Sequence, residues 1–231
     1  MHRQDSASRE VAVIGCGGWG TALALLLHGL GHRPTIWGVD PDYVEQMRAT
    51  RRNPRYLAAI EIPEGVRLSA HMEVCVPGAD VVVAATPTIY MRSVCERLAP
   101  HVRAEQLMVN VAKGIEEETL LPGSGVIRDV CGEQVRPAGL YGPSHAEEVA
   151  RNMPTTVVAT AEDEEKARAV QDLFMGATFR VYTNTDVAGV ELGAALKNVI
   201  AIAAGMCDGL GFGDNAKAAL LTRGLAEITR L

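Results

Sequence analysis

Four glycines fall within six residues, Gly15-Cys16-Gly17-Gly18-Trp19-Gly20. They directly follow the apolar run Val11-Ala12-Val13-Ile14 and directly precede an apolar helical stretch, Thr21 to Leu30. This is G-x-G-x-x-G in the setting that gives the pattern meaning, a strand entering a helix. The glycines permit a tight turn and a close backbone approach. The helix that follows turns its free N–H groups toward an anion, as a pyrophosphate requires. A chain that opens this way is expected to make a βαβ start with a dinucleotide site at its first turn, the alternative being a chance glycine turn.

The pattern continues. Short apolar runs at Thr35–Trp37, Ala79–Ala85, Leu107–Ala112, Ala138–Tyr141, Thr155–Ala159 and Phe179–Tyr182 read as strands. Helical periodicity falls between them, near 41–50, 88–98, 118–131, 144–151 and 162–175. Buried strands alternating with helices indicate a mainly parallel sheet covered on both faces. After Asp186 the alternation stops. One long helix to about Asp208, a glycine-rich turn at Gly209–Gly213 and a helix from about Asn215 complete the chain. The expected fold is α/β, a doubly wound Rossmann-type sheet over residues 1–184, followed by the first helices of an all-helical domain over 185–231.

Net charge is −6, from 22 Lys+Arg against 28 Asp+Glu, which argues against a general nucleic-acid binder but permits a local anion site. The five cysteines are scattered, without a Cys-x-x-Cys pair, and read as reduced thiols of a cytoplasmic protein with no metal framework. The polar first ten residues do not resemble a signal peptide. Val187–Met206 is long enough to span a bilayer, but Glu191, Lys197 and Asn198 lie well inside it, so no span is expected.

Several residues are candidates for chemistry. Lys197 sits on that apolar helix, six positions from Glu191, which is not a ready i,i+4 partner. A lysine on a mostly buried helix is costly unless paired or used, and desolvation turns it into an acid or base near neutral pH. The alternative is a side chain snorkelling from a helix edge. Asp40 follows Gly20 by 20 positions, where an acid binds the adenosine ribose, or else it caps the helix after Pro41. Val39 offers no cation for a 2′-phosphate, which leans toward NAD over NADP, although Arg33, Arg48 or Arg51 could compensate. Lys113 follows the strand at 107–112, at the ligand-binding end of a doubly wound sheet, or is a plain loop lysine. Gly142-Pro143-Ser144-His145 also follows a strand and opens a helix. Ser144 is an anion contact or an N-cap, and His145 is a tempting base without a visible nucleophile. Glu147 and Glu148 suit a first helical turn.

These pieces occur together in one family. The chain resembles the bacterial-type NAD(P)-dependent glycerol-3-phosphate dehydrogenases, through Gly15 to Ala24, Asn53-Pro54-Arg55-Tyr56-Leu57, Lys113-Gly114-Ile115-Glu116, Gly142 to Val149, Gly189 to Asn198 and Leu220 to Glu227. The resemblance runs from Val11 to Leu231. It implies interconversion of dihydroxyacetone phosphate and sn-glycerol 3-phosphate with NAD or NADP, in glycerophospholipid synthesis, by a cytoplasmic homodimer. It implies Lys197 as the acid/base at the C2 oxygen, with Asn198 in support. It places Lys113, Gly142 and Ser144 at the substrate, and Gly18, Trp19, Lys113 and Ala146 at the cofactor, beside Gly15, Gly17 and Gly20 of the glycine motif and Asp40 as read from its spacing. Two neighbouring ammonium groups would stabilise charge on the reacting oxygen, and each would lower the other's pKa.

The chain departs from the family at Val39, where a basic or imidazole side chain is common. It also stops within an amphipathic pattern, before the family's Arg-Asn pair, a site aspartate and a late glutamate. The expectation is a part of a longer protein, with Leu220, Leu221, Leu225 and Ile228 exposed and prone to self-association. A related β-hydroxyacid dehydrogenase and a cofactor-binding fragment without turnover are the alternative readings.

Overall fold

The computed structural model describes residues 7–231. The elements in chain order are β1 (Glu10–Ile14), α1 (Gly18–Gly29), β2 (Arg33–Trp37), α2 (Pro41–Thr50), β3 (Arg52–Asn53), β4 (Leu57–Glu61), β5 (Arg67–Ser69), α3 (Met72–Cys75), β6 (Val81–Ala84) and α4 (Thr88–Leu98). They continue with β7 (Leu107–Asn110), α5 (Gly123–Cys131), β8 (Arg136–Tyr141), α6 (Ala146–Ala150), β9 (Thr155–Ala161), α7 (Glu164–Phe174), β10 (Phe179–Asn184), α8 (Val187–Gly209) and α9 (Asp214–Arg230).

Eight strands form one sheet in the order β10-β9-β8-β7-β6-β1-β2-β5. Every pairing is parallel except β8 with β9, so β9 and β10 run together against the other six. Alternation along each strand sends side chains to two separate cores. Val11 and Val13 of β1, with Val81 and Val83 of β6, pack against α1, α2 and α7. Ala12, Ile14, Val82 and Ala84 pack on the other face, against α3, α4 and α5. Both faces are dry, which explains why these strands read as continuous apolar runs.

The helical pattern at 118–131 yields a helix only from Gly123. Pro122 stands at its N-cap and disfavours helical backbone in the residue before it, and Leu120 is left-handed at φ 58°. The helix read at 144–151 shortens to α6. The short hairpin β3–β4, with β5 and α3, had no periodicity long enough to read, and the hairpin is the element that closes over the glycine turn.

The long C-terminal helix departs from expectation in its burial. Only Glu191 and Ala194 of α8 are buried, and Val199, Ile202 and Met206 are exposed. The helix has the length and apolarity to cross a membrane, yet its first turns pack on β8 and β9. Its second half meets α9 closely: a Cβ on Gly224 would come within 2.9 Å of Ile200 Cγ1. Leu221 and Leu225 are exposed as expected, whereas Leu220 and Ile228 are half-buried.

Candidate active site

The site lies where β1, β2, β7 and β8 end. At the first turn Gly15 has φ 129°, and a Cβ there would come within 2.6 Å of the Ala85 carbonyl oxygen. A Cβ on Gly20 would collide with the Gly15 carbonyl. Both positions therefore require glycine for the backbone itself. Gly17 differs: it has extended backbone and nothing within 4 Å of a Cβ. Its glycine leaves open the space over the start of α1 that a pyrophosphate needs. Trp19 Nε1 is buried with no hydrogen-bond partner among the described residues. Ala146 Cβ and Tyr56 Cβ approach Gly18, at 3.5 and 3.6 Å from a Cβ built there, so α6 and the β3–β4 hairpin flank the turn. An open cradle beside an unsatisfied buried donor fits a dinucleotide.

Asn53, fully buried, holds that flank in place. Its Nδ2 donates to the Cys16 carbonyl and to Thr21 Oγ1, both at 2.8 Å. Its Oδ1 accepts from the Tyr43 hydroxyl and from the Tyr56 amide. One side chain thus joins the glycine turn, α1, α2 and the hairpin.

Lys113, Gly142 and Ser144 come together. Lys113 Nζ donates to the Gly142 carbonyl at 2.9 Å and to Ser144 Oγ at 3.4 Å, and Ser144 Oγ donates to the same carbonyl at 3.2 Å. Burial, and then the positive charge of nearby Lys197, hold the Lys113 ammonium below the usual lysine range. Gly142 is packed so tightly on β9 that a Cβ would lie 2.8 Å from the Thr156 carbonyl. Lys197 is half-buried rather than deeply buried, and its Nζ donates to Asn198 Oδ1 at 2.8 Å.

The helix starts show which residues serve as N-caps, and at Asp40 the cap engages only Oδ1, which leaves Oδ2 for a ligand. His145, not Ser144, occupies the N-cap of α6, and its side chain is exposed with no capping bond. Asp40 is the N-cap of α2, its Oδ1 accepting from the Tyr43 amide at 3.1 Å.

Glu191 was legible only as a lone acid on an apolar helix. It proves to be 5% exposed. Its Oε1 accepts from the Tyr141 hydroxyl, from Asn110 Nδ2 at 3.2 Å and from the Ser124 amide at 3.2 Å, and its Oε2 from Ser124 Oγ at 2.5 Å. Burial and the adjacent carboxylate push the Tyr141 hydroxyl well above the usual tyrosine range. The helix that carries Lys197 is thereby fastened to β7, β8 and α5, the elements that lead to Lys113 and Gly142.

A doubly wound sheet with this glycine turn, and with two lysines beyond the same strand ends, defines a Rossmann-type dinucleotide-binding protein. Family models narrow the class. The N-terminal model of NAD-dependent glycerol-3-phosphate dehydrogenase matches residues 10–167, and the C-terminal model matches 186–231. The chain is 51% identical over 226 residues to glycerol-3-phosphate dehydrogenase [NAD(P)+] 2 of Salinibacter ruber, covering 97% of this chain and 66% of that protein. It is 46% identical to the Fusobacterium nucleatum glycerol-3-phosphate dehydrogenase [NAD(P)+], covering 96% and 67%. The crystal structure of the Coxiella burnetii glycerol-3-phosphate dehydrogenase superposes with a TM-score of 0.90 at 36% identity, over 96% of this chain and 68% of that one. The chain belongs to the NAD-dependent glycerol-3-phosphate dehydrogenase family. It spans about two thirds of the length of these relatives.

Proposed function

We propose that this protein interconverts dihydroxyacetone phosphate and sn-glycerol 3-phosphate with NADH or NADPH as the reductant. The observation that carries the reading is the Lys113 ammonium, bonded to the Gly142 carbonyl and Ser144 with the Lys197 charge beside it. Family membership supplies the substrate class.

The dinucleotide would lie along Gly15, Gly17, Gly18, Trp19, Gly20, Lys113 and Ala146, with its adenosine ribose toward Asp40. Bound there, it supplies the hydride that the C2 carbon of the ketone accepts. The remaining work belongs to the chain. Lys197 delivers a proton to the C2 oxygen and withdraws it in the reverse direction. Lys113 stabilises the negative charge that builds on that oxygen. Ser144 and the Gly142 backbone orient the substrate, and Asn198 Oδ1 holds the Lys197 ammonium in place.

The division into a dinucleotide domain over 1–184 and a helical portion from 185 is part of the same proposal. So are a cytoplasmic, homodimeric state, a role in glycerophospholipid synthesis, and the absence of a membrane span or nucleic-acid partner. Glu191 supports the soluble reading, because its polar anchorage ties the start of α8 to the sheet.

The test is oxidation of NADH and NADPH in the presence of dihydroxyacetone phosphate, by this chain and by Lys197→Ala. Turnover that the substitution abolishes supports the proposal. Equal rates in the two proteins would remove Lys197 from the mechanism. NADH binding without turnover in both would make this chain a cofactor-binding fragment.

A further inference from the structure

The corner where β2 ends holds a charge pair of which the function proposed above uses only Asp40. A Cβ on Gly38 would come within 2.9 Å of Cys16 Sγ, so this corner abuts the glycine turn. In doubly wound folds the second strand ends beside the adenosine ribose, where an acid favours a free 2′-hydroxyl and an arginine accepts a 2′-phosphate. Here both are present and paired: Arg55 Nη1 lies 3.7 Å from Asp40 Oδ2. The Arg55 guanidinium also lies over the Tyr43 ring, 4.0 Å from its centroid.

The other cations near this strand are committed. Arg33 and Arg67 pair with Glu10 at the opposite end of the sheet. Arg48 pairs with Glu45 and donates to the Leu68 carbonyl at 2.9 Å. Arg51 donates to the carbonyls of Ile62, Pro63 and Val66, and Arg52 to that of Ala58. Arg97 lies over the Trp37 ring, which belongs to the core on the α3–α4 face. Arg55 is the exception. Its side chain is 58% exposed, and among the described residues its guanidinium makes only the long ion pair and the ring contact. Its backbone is nonetheless fixed: the Arg55 amide donates to the Tyr43 hydroxyl at 3.1 Å, and Asn53, two residues before, is bolted to the glycine turn.

We propose that Arg55 recognises the adenosine 2′-phosphate of NADPH, and that Asp40 is the counter-ion it leaves when that phosphate binds. A guanidinium offers a planar fork to a phosphate, and the Tyr43 face holds its plane. Asp40 acts in the opposite sense, since its carboxylate repels a 2′-phosphate and accepts a hydrogen bond from a 2′-hydroxyl. The exposed Val39 contributes to neither. The two charges therefore set the preference between dinucleotides jointly, and Arg55 takes the part denied to Arg33, Arg48 and Arg51. The inference rests on the dinucleotide reading of the glycine turn.

The experiment is a pair of direct binding measurements on the 231-residue chain. Kd values for NADPH and NADH come from fluorescence, and those for 2′,5′-ADP and 5′-AMP from calorimetry. In Arg55→Ala the ratio of NADPH to NADH Kd should rise about tenfold, with 2′,5′-ADP losing ground to 5′-AMP in parallel. Arg55→Lys, which keeps the charge without the fork, should fall between. Asp40→Asn keeps a capping side chain and should lower the ratio severalfold. A ratio unchanged within twofold in Arg55→Ala, with NADH still bound, overturns the assignment of Arg55 alone. Failure of the unsubstituted chain to bind either dinucleotide overturns the dinucleotide reading itself.

Discussion

The Tyr141 hydroxyl, at the end of β8, donates to the carboxylate of Glu191, in the second turn of α8, and both residues are buried. Asn110 and Ser124 complete the shell around that carboxylate. Glu191→Ala leaves the Tyr141 hydroxyl, the Ser124 hydroxyl and the Ser124 backbone N–H without their acceptor, while Asn110 Nδ2 keeps the Tyr141 hydroxyl oxygen. Each such orphan costs about 1–3 kcal/mol, less whatever water recovers. The expected loss is about 2–4 kcal/mol in chemical denaturation. Glu191→Gln keeps an acceptor for Tyr141 and should lose less. A loss below about 0.5 kcal/mol for the alanine variant would mean that water replaces the anchor fully.

Lys113 gives a pH signature. Its folded pKa is depressed, by burial first and by Lys197 second. The unfolded chain therefore binds more protons than the folded one between the folded pKa and the ordinary lysine value of about 10.4. Stability contributed by this group rises with pH across that window and is lowest below it. Lys113→Met should be slightly more stable than the parent near neutral pH, and its stability should rise less toward pH 10. Because Lys113 is only half-buried, the difference should stay under about 1 kcal/mol. The same variant should lose turnover of dihydroxyacetone phosphate. Denaturation midpoints of the two proteins, measured from pH 7 to 10, decide the matter, and parallel curves would contradict the shift.

The glycines of the first turn should separate stability from binding. Gly20→Ala forces a methyl group into the Gly15 carbonyl and should cost about 2 kcal/mol or more of fold stability. Gly17→Ala meets nothing and has an ordinary backbone conformation, so its melting temperature should hold. Its methyl group would occupy the phosphate approach, so NADH binding should weaken about tenfold or more. Thermal melts and fluorescence titrations of both variants test the pair. Unimpaired NADH binding by Gly17→Ala would move the pyrophosphate away from this turn.

Thiol reactivity follows burial. All five cysteines are free, with Cys75, Cys95 and Cys131 buried and Cys16 and Cys207 partly exposed. Burial pushes the Cys16 thiol up, so it should react slowly at neutral pH. A disulfide reagent should label Cys207 first, then Cys16, and the other three only after unfolding. NADH should protect Cys16 and leave Cys207 unaffected. Labelling of all five at one rate would contradict the packing around α4 and α5.

The open faces of α8 and α9 bear on assembly. Val199, Ile202, Met206, Phe212, Leu221 and Leu225 are all at least half exposed, and an apolar surface of this kind favours association. Sedimentation of the chain over a hundredfold concentration range should show self-association. A monomer throughout would remove this surface as a driving force.

The sequence by itself determined the glycine turn, the alternation of strands and helices, the change to an all-helical pattern after Asp186, and the family. Each of these is written in neighbours: a period of two or 3.6 residues, a glycine that no side chain could replace, a motif of contiguous letters. Tertiary structure alone decided the rest. Glu191 finds its partners 50 to 81 positions away, and Asn53 reaches back 32 to 37 positions to the glycine turn. Ser144 gives up the N-cap to His145. Arg55, rather than Arg33, Arg48 or Arg51, is the cation that the fold pairs with Asp40. Lys197 lies on a helix whose apolar letters suggested burial, yet most of that helix is exposed, because composition reports what a face could bury and not what covers it. Buried polar groups must find partners wherever the fold brings them, and no local pattern records which partners those are.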